Sequence, residues 1–257
     1  MNLRDRLRGL LVRLYARRVE GHLDHARAPK HIGVIMDGNR RWAKAAGSTP
    51  AEGHQAGAEK VEEFLGWCSE TEVEVVTLWL LSTDNFDRPQ EELVPLLSII
   101  ENVVRTLATD GRWRVHHVGA TDILPSGMQT VLKEAEEATA DRDGILVNVA
   151  IGYGGRQEIA DAVRSMLLDA ADKGSTLEQV ADDVTIDLIG RHLYTSAQPD
   201  PELVIRTSGE QRLSGFMLWQ TAHSEYYFCD VFWPAFRKVD FLRAMRDYAA
   251  RHRRFGG

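Results

Sequence analysis

The chain has 257 residues, 44% of them apolar, and a formal net charge of −7, which provides material for a sizeable core and argues against a general nucleic-acid binder. No apolar run approaches the ~18 residues of a membrane span, and Arg interrupts the N-terminal positions that a signal peptide would keep apolar, so the expected location is cytoplasmic. The two cysteines, Cys68 and Cys229, read as packed thiols, and no cysteine–histidine spacing suggests zinc.

In chain order, residues 1–30 form a basic arm ahead of a single domain at 31–257. Eight Arg and Lys against three Asp and Glu give the arm +5, leaving −12 for the rest. Leu3, Leu7, Leu10, Leu11 and Leu14 recur at helical spacing among arginines. Residues 1–20 could therefore lie on the inner face of an anionic membrane, or dock on the protein itself or on a dimer mate; the pattern leaves both open. Strands are expected at 31–36, 74–81, 113–118, 145–151, 202–206 and 216–219. Helices are expected at 40–46, 54–70, 89–108, 125–140, 155–172, 185–193 and 239–253. This alternation predicts an α/β fold with a mainly parallel sheet of about six strands, flanked by helices. Gly174 should end one helix and Thr176 open the next, and Asp182-Asp183 reads as helix capping. Gly152-Tyr-Gly-Gly155 follows a strand, but Gln157 stands where a dinucleotide fingerprint needs its third Gly, so nucleotide binding is rejected.

The most informative stretch runs from His31 to Gly47, where an apolar strand passes into Asp37-Gly38-Asn39 and a basic helix start, Arg40-Arg41-Trp42-Ala43-Lys44. Gly38 permits a tight turn, the next N–H groups open a helix whose positive end can face an anion, and Arg40, Arg41 and Lys44 add cations. A single carboxylate there, Asp37, suits Mg²⁺ shared with phosphate oxygens. Taken alone, the same residues would serve as an Asx turn and helix cap. Three more segments place polar residues just after apolar strands: Leu81-Ser-Thr-Asp-Asn-Phe-Asp-Arg-Pro89, Ile151-Gly-Tyr-Gly-Gly-Arg156 and Leu203-Val-Ile-Arg-Thr-Ser-Gly-Glu-Gln-Arg-Leu-Ser-Gly-Phe216. In an open α/β sheet that edge is where ligands bind.

With those segments in order, and Leu218-Trp-Gln, Ser224-Glu-Tyr and Trp233-Pro after them, the chain resembles the cis-prenyltransferases, the family of undecaprenyl diphosphate synthase. The match is closest to actinobacterial short-chain members that make (2Z,6E)-farnesyl diphosphate. The resemblance implies condensation of isopentenyl diphosphate with a short allylic diphosphate, geranyl diphosphate above all, in a homodimer that uses Mg²⁺. It assigns Asp37 and Glu225 to the metal, the latter through water or from the dimer mate. It assigns Gly38, Asn39, Arg40, Arg41, Trp42 and His54 to the allylic diphosphate, and Arg206, Arg212 and Ser214 to isopentenyl diphosphate. Asn85 falls near the proton that is lost, with Ser82 and Arg88 in support. Arg254-Phe255-Gly256 looks like a tail that folds over the partner's site.

Three departures stand out. Asp84-Asn85-Phe86 replaces the usual Glu-Asn-Trp, Pro50 stands where long-chain members carry an Arg, and Leu80 stands where they carry a small tunnel residue. A Leu there should shorten the product, because packed interiors do not yield volume easily. The competing readings are a medium- or long-chain (decaprenyl or undecaprenyl) synthase, an irregular coupler of dimethylallyl units, and a non-catalytic partner subunit. The last is disfavoured because Asp37, Asn39, Arg41, His54, Asn85, Arg206 and Arg212 all persist.

Overall fold

In a computed structural model, which describes residues 28–251, six strands form one sheet. They are β1 His31–Ile35, β2 Val75–Ser82, β3 Arg114–Val118, β4 Leu146–Tyr153, β5 Leu203–Arg206 and β6 Glu225–Phe228. Their order is β3-β4-β2-β1-β5-β6, and every adjacent pair is parallel. The central strands are apolar almost throughout, as strands covered on both faces must be. Residues 1–27 of the basic arm and the Arg254-Phe255-Gly256 tail lie outside the described residues.

Eight α-helices connect or follow the strands among the described residues: α1 Asn39–Ala46, α2 Pro50–Ser69, α3 Gln90–Asp110, α4 Ser126–Thr139, α5 Gly155–Asp172, α6 Leu177–Asp183, α7 Ile186–Gly190 and α8 Lys238–Ala250. On one face of the sheet Phe64 and Leu65 of α2, Val104 and Leu107 of α3, Met128 of α4 and Phe241 of α8 join a single apolar cluster. Phe64 is its aromatic hub, packing edge-on against Trp233 at 5.6 Å and Phe241 at 5.5 Å. On the other face Ile35, Val204 and Tyr153 pack against Phe216 and Met217, and Tyr153 donates a hydrogen bond to Glu158 of α5 at 2.5 Å. Both cysteines are buried free thiols, and burial raises the titration of each.

Capping explains several boundaries. Thr49 and Glu52 form a reciprocal box at the start of α2, and Pro50 supplies the preset φ of a first helical residue, so this helix begins four residues before the expected 54. Thr176 and Gln179 form the same box on α6, after Gly174 has turned the chain at φ +73°. Two expectations fail here. The helix expected at 185–193 forms only as α7, from Ile186 to Gly190 behind its cap Thr185, and the helix that Thr176 opens, α6, ends at Asp183, so Asp182 and Asp183 close a helix and cap nothing. The expected strand at 216–219 is a turn, in which Met217 takes φ +44° and Thr221 N–H bonds back to its carbonyl; the sixth strand forms later, at Glu225.

No helix among the described residues is long and apolar enough to cross a membrane.

Candidate active site

The strand order fixes where a site can form. From β1 the chain crosses to β2 on one side, whereas β5 leads to β6 on the other, so the crevice beyond β1 and β5 is a topological switch point. Ile35 and Arg206 are paired in register at that edge, and the two residues following β1 bring Asp37 beside Arg206. Arg206 Nη2 donates to Asp37 Oδ2 at 2.9 Å.

Gly38 makes the turn. It sits at φ +103°, and a Cβ there would meet the Phe232 ring at 2.7 Å, so only glycine fits. It also precedes α1 without any side-chain cap, which leaves the helix start with its positive end toward the crevice. Close packing then sets the wall behind it. A Cβ on Gly53 would lie 2.4 Å from the Asn39 carbonyl oxygen, and one on Gly57 2.4 Å from Asn39 Oδ1, so two glycines on α2 let α1 approach.

A cavity of about 700 Å³ opens at this point. Asp37, Gly38, Asn39, Arg40, Arg41, Lys44, His54, Leu80, Ser82, Asn85, Arg88, Arg206 and Arg212 all line it, from four separate stretches of sequence. Its arginines are held by acids in a definite pattern. Arg206, whose side chain is 4% exposed, donates to Asp37 and, at 2.9 Å, to Ser214 Oγ. Arg41 reaches Ser208 Oγ at 2.7 Å, Glu210 Oε1 at 3.1 Å and Asp37 Oδ1 at 3.3 Å, over the face of Phe232. Arg212 pairs with the other oxygen of Glu210. Arg88 and Arg40 share Glu92 Oε1, at 2.8 and 3.4 Å. Five arginines and Lys44 thus face three carboxylates, and the cavity is net cationic.

Burial opposes ionisation of Asp37, but hydrogen bonds from Arg206 and Ser208 and the charges of Arg206 and Arg41 outweigh it, so its carboxyl titrates below the ordinary range. His54 is lowered too, to about 4, by burial first and then by the charge of Arg88, so the ring is neutral near pH 7. Four buried polar atoms on residues lining the cavity have no hydrogen-bond partner, namely Asn39 Oδ1, His54 Nε2, Trp79 Nε1 and Arg206 Nε. Buried polar groups in a native fold are normally satisfied, so these mark places for a polar ligand.

Asp37 is half-buried, and no cluster of three His, Cys, Asp or Glu side chains suited to a metal occurs among the described residues. That donor set fits Mg²⁺, which can be held by one carboxylate with phosphate oxygens from a substrate, and does not fit an all-protein cage.

Past Leu80 the surroundings become apolar. A second pocket of about 40 Å³ shares Met36, His54, Leu80 and Leu96 with the main cavity and continues along Ala58, Val61, Ile99, Ile100 and Val103, between α2 and α3. Half-buried Leu80 stands where the two meet. At the rim, Ser82 N–H donates to Asn85 Oδ1 at 3.2 Å, which fixes the amide in the short 3₁₀ turn Thr83–Asp87.

Three expected residues do not line the cavity. Trp42 is half-buried on α1 away from it, and Ser214 acts behind it by accepting from Arg206. Glu225 starts β6 in register with Leu203, at the opposite end of the strands from Asp37, and accepts from Arg251 at 2.5 Å. Sequence reasoning missed Glu92 and Glu210, which hold the arginines, and Gly53 and Gly57, which admit Asn39. The Gly-x-x-x-Gly spacing on α2 was a legible sign of close helix approach; the two glutamates offered none.

The family model described as "Putative undecaprenyl diphosphate synthase" matches residues 35–256. Isoprenyl transferase 1 of Streptomyces avermitilis is 84% identical over 256 residues, covering 100% of both chains. The (2Z,6E)-farnesyl diphosphate synthase of Thermobifida fusca is 64% identical over 251 residues, covering 97% of this chain and 98% of its own. Among solved structures, lavandulyl diphosphate synthase from Lavandula x intermedia, in complex with dimethylallyl diphosphate, superimposes with a TM-score of 0.84 at 33% identity, covering 90% of this chain and 100% of its own.

Proposed function

Because this chain belongs to the undecaprenyl diphosphate synthase family and is therefore a prenyltransferase, we propose that it joins isopentenyl diphosphate to geranyl diphosphate and releases (2Z,6E)-farnesyl diphosphate. The observation that carries the reading is the switch-point cavity, where Asp37 and five arginines face one another and a small apolar pocket lies beyond Leu80. Two diphosphates need such a cationic surface, and a short hydrocarbon tail needs such a pocket.

The allylic diphosphate rests on the start of α1 and on Arg40 and Arg41, with His54 as a neutral donor beside it. The isopentenyl diphosphate takes Arg212 and the outward face of Arg206. Mg²⁺, when bound through Asp37, screens the two diphosphates and eases departure of the allylic one. As the allylic C–O bond breaks, the homoallylic double bond attacks the freed carbon, and the adjacent carbon loses a proton. We assign this proton to the released diphosphate, because Asn85 is an amide, the arginines are already charged and His54 serves as a donor to the allylic diphosphate. Leu80 and its apolar neighbours keep water from the allylic cation.

A homodimer belongs to the proposal, with Glu225 entering a metal site only from the partner subunit and the C-terminal arginine tail closing over it. So does a cytoplasmic location with peripheral membrane contact through the arm. The long-chain reading is disfavoured by Leu80, which stands where the main cavity meets the apolar pocket, and coupling of dimethylallyl units by the 64% identity to a farnesyl diphosphate synthase. Incubating the purified protein with labelled isopentenyl diphosphate and dimethylallyl, geranyl or farnesyl diphosphate tests this. Geranyl diphosphate should be the best donor, with one addition per turnover; products of fifty carbons or more would overturn the reading.

A further inference from the structure

Glu92 lies in the first turn of α3, where its N–H bonds the Pro89 carbonyl at 2.9 Å and the positive end of the helix favours a carboxylate. One oxygen of its side chain accepts from Arg88 Nη1 at 2.8 Å, lies 3.4 Å from Arg40 Nη1, and is 4.0 Å from the unpartnered His54 Nε2. These three partners come from α1, from the loop after β2 and from α2, so a single carboxylate links three walls of the cavity.

Its removal would leave two guanidinium groups facing each other. Burial and then the Arg40 charge already pull Arg88 below its usual range, and Glu92 is what opposes them. The Arg40 side chain is 56% exposed, and among the described residues Glu92 is the carboxylate that holds it toward the cavity. Ordering a long side chain at the moment of binding costs affinity, which an existing contact avoids.

We propose that Glu92 is the positioning residue of the allylic diphosphate half-site, holding Arg40 and Arg88 beside His54 before the substrate arrives. The inference rests on the diphosphate reading given above. A carboxylate so near a diphosphate also repels it, so the sign of the effect separates a brace from a competitor.

Glu92→Gln keeps the shape and removes the charge, while Glu92→Asp keeps the charge on a shorter stem. In steady-state assays Glu92→Gln should raise KM for geranyl diphosphate by about ten- to hundredfold, the range expected for weakened charge-assisted contacts. KM for isopentenyl diphosphate and kcat should change little, Glu92→Asp should recover part of the loss, and the melting temperature should hold. Calorimetric titration with inorganic diphosphate should show the same ranking of the three proteins without any turnover. An unchanged or lower KM in Glu92→Gln would overturn the proposal, as would a fall in kcat and a rise in both KM values together with a lower melting temperature. If the wild-type protein binds inorganic diphosphate but transfers no prenyl group, the functional reading fails and calorimetry alone decides the role of Glu92. If it binds no diphosphate, both fail.

Discussion

Truncating Leu80 to Ala tests how this chain limits its product. Leu80 lines both the 700 Å³ cavity and the 40 Å³ apolar pocket beyond it, so it stands between the diphosphate-facing part of the site and the tail-facing part. The change removes three carbons, each worth about 0.8 kcal/mol when fully buried, or ~2.4 kcal/mol of transfer energy. Leu→Ala in a full core costs about 2–5 kcal/mol once the cavity is included, and half-burial places Leu80 at the low end of that range. A domain with a stability of roughly 5–15 kcal/mol tolerates the loss and stays folded. The space released adjoins the existing pocket, so a fifteen-carbon tail that stopped at Leu80 can advance, and a further addition becomes possible. The assay is product chromatography with geranyl diphosphate and labelled isopentenyl diphosphate, comparing variant with wild type after melting curves confirm the fold. A share of twenty-carbon or longer product is expected. An unchanged fifteen-carbon product from a folded Leu80→Ala would refute the reasoning and move the limit to Val61, Ile99 and Val103 between α2 and α3.

Three further outcomes follow from the same geometry. Asp37→Asn should lose two to four powers of ten in turnover, roughly 3–5 kcal/mol of barrier, with little change in melting temperature; near-normal turnover, or full activity in excess chelator, would remove Asp37 from its role. Arg212→Ala should raise KM for isopentenyl diphosphate about ten- to hundredfold and leave the allylic KM nearly unchanged, whereas Arg206→Ala, by also leaving the Asp37 carboxylate without its 2.9 Å partner, should damage turnover as well; equal effects on both substrates would argue against this division. Gly57→Ala should disturb the site from outside it, because the new Cβ would fall 2.4 Å from Asn39 Oδ1, and a variant with wild-type KM and stability would show that α1 has freedom the structure does not suggest.

Much of this was legible in the sequence because the informative signals are local. The β1 strand, the Gly38 turn and the α1 start are contiguous, so their order alone places a carboxylate and three cations at a helix N-terminus. Strands as apolar as β1 and β4 between long amphipathic helices leave little choice but a covered parallel sheet. The failures share a cause too. Phe216 and Met217 form an apolar run that is buried as a turn against Tyr153, and burial without periodicity does not distinguish a turn from a strand. The strand that does form, Glu225–Phe228, lies at the sheet edge with mixed exposure and carries a weaker pattern. Glu92 and Glu210 were unreadable because their importance lies in which arginines the fold brings to them: Arg40 is 52 positions from Glu92, and Arg41 is 169 from Glu210.

The most direct measurement is the structure of the product made by purified enzyme from geranyl diphosphate and isopentenyl diphosphate with Mg²⁺, determined by chromatography and NMR. The account predicts a fifteen-carbon diphosphate whose one new double bond is Z, formed by a single addition. An E double bond, a branched product without isopentenyl diphosphate incorporated, or a long polyprenyl chain would contradict it.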